Sequence, residues 1–483
     1  MGEGSGRTPS SGRDASWLVS ADLVAVGLAF LGQILLARAL LPAHYGWMVL
    51  AIDLYASVFL IVDLGLPTLL ARDGANHPDM VKPAVWRSYR WQALTALPFV
   101  AVVLVTQPHR WLHLEAPVTL LVLAGLIALV HVASYAPRSG LRALGEARLE
   151  ALTKVVERIL TVLGYAWLAW QDSTSPTAFT AAFLLGATTG WLLSLYWLVR
   201  TAPSTGTGDW SRLGACWTSP ALLLTSALPF ALTLSILPYV VRIEKFLLAS
   251  VSGSALAAVF HVAQLAWLAG LVVPAALRSA LLPVLGSSRF TVRYTHEMNR
   301  AYDLCLALLP VGLLGGYLIV AVLAPVAFPS AYFDGTYGAS AVDMFAVLLA
   351  GWAFTLLATP TYTSIMAGAQ PWRFTQFILL VVVVALAVGY LTVVTWASTD
   401  AQRLYGAALA SSLSAGALLV LSWWMSGEAV LVKMRKDDLT LALLGTLALV
   451  AGAVTHTWWW ALLSTPLLLF IPPGWRAIRP TPS

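Results

Sequence analysis

In the stretch "GEARLEALTKVVERILTVLG" four ionisable residues recur at helical spacing. At 3.6 residues per turn, Glu150, Lys154, Glu157 and Arg158 fall within a stripe about 100° wide. Such a stripe on an apolar helix has two uses. It neutralises itself through i,i+3 and i,i+4 pairs, or it lines a wet cavity that holds a charged solute. A second group, Arg242, Glu244 and Lys245, interrupts "LSILPYVVRIEKFLLASVSG". If that stretch is one helix, Arg242 and Lys245 share a face near its outer end, where a lysine can snorkel to water. Glu244 then points about 100° away from Lys245. Arg38 closes an earlier apolar run and either snorkels or meets a ligand. Asp53 and Asp63, about 80° apart on one helix, can bind a coupling ion, as can Glu157. Arg72 is the expected local partner of Asp63, and Arg242 is one candidate partner for Asp53.

Nothing in the sequence has the spacing of a catalytic or metal site. The histidines form no H-x-x-x-H pair, and Cys216 and Cys305 stand alone. No catalytic residue, metal or cofactor is expected.

The elements that must carry these charges are membrane helices. Of 483 residues 59% are hydrophobic and 10% charged, against about 25% charged in soluble domains. The apolar residues come in runs of about 20, the length that crosses ~30 Å of hydrocarbon. They do not alternate as barrel strands do. Fourteen spans are expected: 17–40, 46–70, 91–107, 115–136, 151–170, 177–199, 219–248, 254–283, 302–328, 340–367, 374–397, 403–425, 438–454 and 457–473. Alternate connections hold 21 and 5 of the 28 Lys and Arg, with Lys154 and Arg158 inside a span. This bias puts both termini in the cytoplasm. The net charge of +6 is scattered over loops, so no nucleic-acid face is expected.

A faint repeat relates "LLARALLPAHYGWMVLAIDLY" to "FLLASVSGSALAAVFHVAQLA". Six helices separate the two starts, as in transporters built from two parallel halves. The expected organisation is a disordered cytoplasmic N-terminus (1–16), a first six-helix half (17–199), a cytoplasmic linker (200–218) and a second half (219–425). Two extra helices and a cytoplasmic C-terminus (426–483) complete the chain.

Three segments carry a resemblance. "LLARALLPAHYG" with "IVDLGLPTLLARDG" supplies Arg38, Leu40, Pro42, Tyr45 and Gly46, then Asp63, Gly65, Leu66 and Arg72. "RIEKFLLASVSGSALAAVFHVAQL" opens the second half, and "IMAGAQPWRFTQ" with "LYGAALASSLS" supplies Gly368, Pro371 and Tyr405–Ala410. Together they resemble the polysaccharide and lipid-linked oligosaccharide flippases of the multidrug/oligosaccharidyl-lipid/polysaccharide exporter (MOP, MATE-like) superfamily. Glu244 stands where that family usually has Asp, Phe260 where it has Tyr, and Leu41 where Gly is common.

The resemblance implies an all-α, MATE-like transporter of the cytoplasmic membrane, with a polyprenyl-phosphate-linked oligosaccharide as substrate. Arg158, Arg242 and Lys245 would attract the phosphate, with Glu244 and Arg38 beside the path. Membrane lipids are the expected surroundings, a monomer the expected state, and glycan-assembly enzymes the further partners. The nearest alternative is a cation-coupled drug or small-molecule antiporter using Asp53 or Asp63. A glycan polymerase or glycosyltransferase ranks last. The longest outward connection, around "PSAYFDGTYG", carries Asp334 as its only charge.

Overall fold

The computed structural model describes residues 11–203, 209–287, 292–368, 370–426 and 436–455, which are helical with no strand among them. The chain divides at Ser235/Ile236 into two compact units. In the first unit α1 (Ser11–Ala39) begins ahead of the expected start at 17. It is followed by α2 (Pro42–Phe59), α3 (Leu66–Asp73), α4 (Pro78–Thr106), α5 (Val118–Ala143), α6 (Ala147–Trp170), α7 (Pro176–Thr201) and α8 (Pro220–Ile236). The second unit holds α9 (Ile243–Gly270), α10 (Val272–Ser287), α11 (Val292–Pro310), α12 (Gly316–Ala327), α13 (Ala341–Met366), α14 (Pro371–Gly389) and α15 (Asp400–Ser426). A last described helix runs Lys436–Val454. The expected span 457–473 lies outside the described residues.

Proline opens α2, α4, α7, α8 and α14. Its missing N–H costs nothing at a first helical position, and its fixed φ suits a helix start. Ser175 and Ser340 cap α7 and α13 by accepting the N–H of Ala178 and Val342. Among the described residues nine helices are long and apolar enough to cross a membrane. The charged α6 is not one of them.

Two expected helices are broken. Span 46–70 ends α2 at Phe59, passes through a 3₁₀ turn at Leu60–Asp63, and resumes as α3. Leu64 and Gly65 adopt φ of 55° and 67° there. Gly65 also meets α8, where a Cβ would lie 2.7 Å from Ala231 N and 2.8 Å from Ala227 O. Only glycine satisfies both the left-handed backbone and that approach. Span 219–248 breaks at the 3₁₀ turn Leu237–Val241. Residue 238 within it is a proline, which has no backbone N–H to continue the hydrogen bonding of α8.

Each unit has its own interior. In the first, Leu66, Leu69, Met80, Val81 and Trp217 are among the fully buried members of one apolar cluster. In the second, α13 is buried almost all round. It meets α15 through small and hydroxyl side chains, as membrane helices do. Ser412 Oγ donates to Val347 O at 2.7 Å and accepts Gly351 N at 3.2 Å. Thr361 and Ser422 hydroxyls lie 2.8 Å apart.

Candidate functional site

The first unit gathers most of its buried charge between α5 and α6. Glu157 is 3% exposed and accepts Arg138 Nη2 at 2.6 Å; His131 Nε2 lies 3.3 Å and Arg158 Nη2 4.0 Å away. Two turns nearer the α5–α6 connection, about 10 Å along the helix, Glu150 receives a two-pronged contact from Arg142, Nε at 3.0 Å and Nη2 at 2.5 Å. Lys154 Nζ adds a second cation at 3.5 Å. This fork geometry is the strong form of an Arg–carboxylate pair.

The local sequence explains the approach. Gly186 and Gly190 of α7 face α6: a Cβ on Gly186 would fall 2.2 Å from Thr161 Oγ1, and one on Gly190 2.9 Å from Glu157 Oε2. These glycines let α7 close over the carboxylate. Phe183, on the same helix, has the His131 ring 5.6 Å away and the Arg158 guanidinium 5.7 Å away.

Four cations, Arg138, Arg142, Lys154 and Arg158, face two carboxylates, Glu150 and Glu157. The cluster is therefore formally +2 before His131 is counted. The carboxylates are sealed, whereas Arg158 is 33%, Lys154 24% and Arg142 50% exposed. Its accessible side is cationic, which suits phosphate or diphosphate.

The expected stripe Glu150–Lys154–Glu157–Arg158 exists, but its main partners are on α5. The expected span 115–136 leaves Arg138 and Arg142 in the following connection. In fact α5 continues through Pro137 to Ala143. His131, Arg138 and Arg142 sit at i, i+7 and i+11, within an arc of about 40° on one face. That spacing was legible; the cluster of cations around a proline masked it. Glu150, just outside the expected span 151–170, is fully buried.

The other sequence candidates in this unit are dispersed. Asp63 is buried in the break after α2 and accepts Gln92 Nε2 at 3.2 Å. Its expected partner Arg72 instead pairs with Asp73 at 2.6 Å. Because Asp63 lies in the 3₁₀ turn Leu60–Asp63, the helical angle between Asp53 and Asp63 no longer applies. Asp53 is half-buried on α2 and Arg38 is exposed in the last turn of α1. Asp53 and Arg242 belong to different units.

In the second unit Arg242 is the N-cap of α9, with φ −126° and ψ −13°. It does not share a helical face with Lys245. Lys245 does not snorkel: it is 1% exposed and its Nζ lies 3.1 Å from His261 Nδ1. The reason is the turn at Gly253, φ 82°, five residues beyond the expected end at Leu248. It puts Lys245 about 12 Å from that turn, where an end at Leu248 would have left about 5 Å. Beyond the turn, Gln264 Nε2 donates to Val241 O at 2.6 Å and ties down the break. Glu244 is fully buried and neither carboxylate oxygen has a hydrogen-bond partner among the described residues. Ser411 of α15 presents its hydroxyl to this carboxyl. Ser411 also lines a cavity of about 360 Å³ with Trp267, Arg278 and Tyr362.

No group of three or more potential metal ligands occurs among the described residues. Asp334, in the connection before α13, caps its own turn by accepting Thr336 N at 2.9 Å. These hydrogen bonds hold its carboxyl below the ordinary carboxylate range.

The sequence model of the polysaccharide biosynthesis protein family matches residues 11–289. No curated protein matches the chain. Among solved structures it is similar to a multidrug-resistance MATE transporter of the MOP superfamily in its outward-facing form. That match has 14% identity and TM-score 0.61, over 87% of this chain and 96% of that one. The inward-facing form of such a transporter matches with 18% identity and TM-score 0.56, over 82% and 93%. A Pyrococcus furiosus transporter of the MOP superfamily, described as having a binding pocket of reversed polarity, matches at 19% identity and TM-score 0.54, over 85% and 94%.

Proposed function

The chain belongs to the polysaccharide biosynthesis protein family, and from that membership we propose that it flips polyprenyl-phosphate-linked oligosaccharides across the cytoplasmic membrane by alternating access. That it is a multi-pass membrane transporter of the MOP superfamily follows from the family and the shared fold. The substrate is the step beyond. One observation carries it: the charge between α5 and α6 is net cationic, with its carboxylates buried and Arg142, Lys154 and Arg158 accessible. A lipid diphosphate is anionic, whereas many exported drugs are cations that such a surface repels. Arg158, with Lys154 beside it, is the phosphate-attracting group. Glu157 holds Arg138 and His131 in register behind it. Arg242 and Lys245 supply positive charge in the second unit, and Arg38 a further cation on the path.

Glu244 favours a second reading, a cation-coupled antiporter of small molecules. A fully buried carboxyl in a membrane helix is costly unless it takes up a proton or cation during the cycle. In the flippase reading the same group, rather than Asp53 or Asp63, couples transport to an ion gradient.

Purified protein in liposomes with a fluorescent lipid-linked oligosaccharide separates these readings. Gain of externally accessible sugar supports the flippase. No gain with substrates of the source organism, together with drug-stimulated proton or sodium flux, replaces it by the antiporter.

A further inference from the structure

We propose that a groove formed by α2, α4 and α5 in the first unit is a binding site for one monoanionic glycerophospholipid. The groove has a volume of about 370 Å³, within the ~300–1,000 Å³ range of ligand pockets. It shares no residue with the α5–α6 charge cluster. Its α5 wall runs from Val118 to Leu129, about 16 Å of helix. That is half of a ~30 Å hydrocarbon layer, the depth of one leaflet.

Polarity changes along its length. The body is walled by residues such as Phe59, Val103 and Leu121, and its rim by Leu104 and Val122, 67% and 54% exposed. It therefore opens sideways to lipid. Tyr55, Gln107, His109 and Arg110 line one end. Gln107 ends α4 in a left-handed conformation, φ 43°, turning the chain there. Tyr55 Oη and His109 Nδ1 lie 3.4 Å apart. Arg110 is exposed and makes no ion pair among the described residues. Trp111 beside it is 68% exposed, as an interfacial anchor is.

An apolar slot one leaflet deep, closed by hydrogen-bonding groups and a guanidinium, is complementary to a lipid tail and its phosphate. Charge selects the headgroup. Burial and the adjacent Arg110 push the His109 imidazole below its ordinary value, so it is neutral at physiological pH and Arg110 is the cation among the lining residues. One positive charge matches a single phosphodiester better than a diphosphate, which separates this site from the transported substrate.

The test uses full-length, delipidated protein titrated with phosphatidylglycerol, phosphatidylcholine or geranylgeranyl diphosphate, with first-adduct affinity read by native mass spectrometry. Wild type is expected to bind phosphatidylglycerol about tenfold tighter than phosphatidylcholine, ~1.4 kcal/mol. Arg110→Gln should abolish that preference. Gly125→Leu should block the first lipid, because Phe59 at 3.9 Å is the nearest neighbour of a Cβ there and the larger side chain enters the groove. Both positions tolerate change without a core clash, and an unchanged melting profile checks folding. Equal affinity for both phospholipids, or wild-type binding in either variant, overturns the proposal. So does displacement of phosphatidylglycerol by equimolar geranylgeranyl diphosphate.

Discussion

Glu157→Gln tests how the α5–α6 charges are held. The carboxylate is 3% exposed, with Arg138 at 2.6 Å, His131 at 3.3 Å and Arg158 at 4.0 Å. At an effective dielectric constant of about 20, one pair at 4 Å attracts by ~4 kcal/mol. Arg138 and Arg158 supply that attraction, and His131 lies within contact distance of the same carboxylate. The isosteric amide removes the attraction and leaves Arg138, 12% exposed, without its counter-charge. Breaking a buried pair in this way costs about 3–5 kcal/mol. For a unit of this size that lowers the melting temperature by roughly 6–20 °C, at about 2–4 °C per kcal/mol. The assay is tryptophan-fluorescence melting in detergent for Glu157→Gln, Arg138→Gln and the double variant. Because the double variant removes both charges, it should recover at least ~1.5 kcal/mol of the summed loss. Additive losses, or a single variant as stable as wild type, would refute the claim that Glu157 organises these cations.

Four further variants probe the rest. Gly186→Ala places a methyl 2.2 Å from Thr161 Oγ1 and should destabilise by about 1–3 kcal/mol as overpacking, read in the same melting assay. Gly65→Ala meets a positive φ and two backbone atoms of α8 within 3 Å, so monodisperse protein in size-exclusion chromatography should fall severely. Arg242→Ala should abolish flipping in liposomes while membrane expression stays intact; normal transport would reduce Arg242 to a helix cap. Glu244→Gln should fold and still bind substrate, since the isosteric amide keeps the shape of the buried carboxyl and removes only its capacity for charge. Its transport should lose dependence on an imposed proton or sodium gradient, and full dependence would exclude Glu244 as the coupling group.

The membrane-helical class and the residues of interest were fixed by composition and by the cost of charge in hydrocarbon. An apolar run of about 20 residues has few alternatives, and a charge inside one stands out. The stripe on α6 was readable because helical periodicity is local. Its partners were not: whether α5 stopped near Pro137 or ran on to Ala143 depended on packing against α6 and α7, and Gly186 and Gly190 matter only once α7 lies there. Depth was likewise undetermined. Lys245 reads equally well as a snorkelling or a buried lysine until the turn at Gly253 fixes where its helix ends. Asp63 changed partner, from Arg72 to Gln92, because the break after Phe59 redirected it. Sequence determined which groups carry charge through the membrane, since that follows from each residue and its neighbours in the chain. Only tertiary structure decided which charges face each other, because contacts between helices depend on where each one bends and ends.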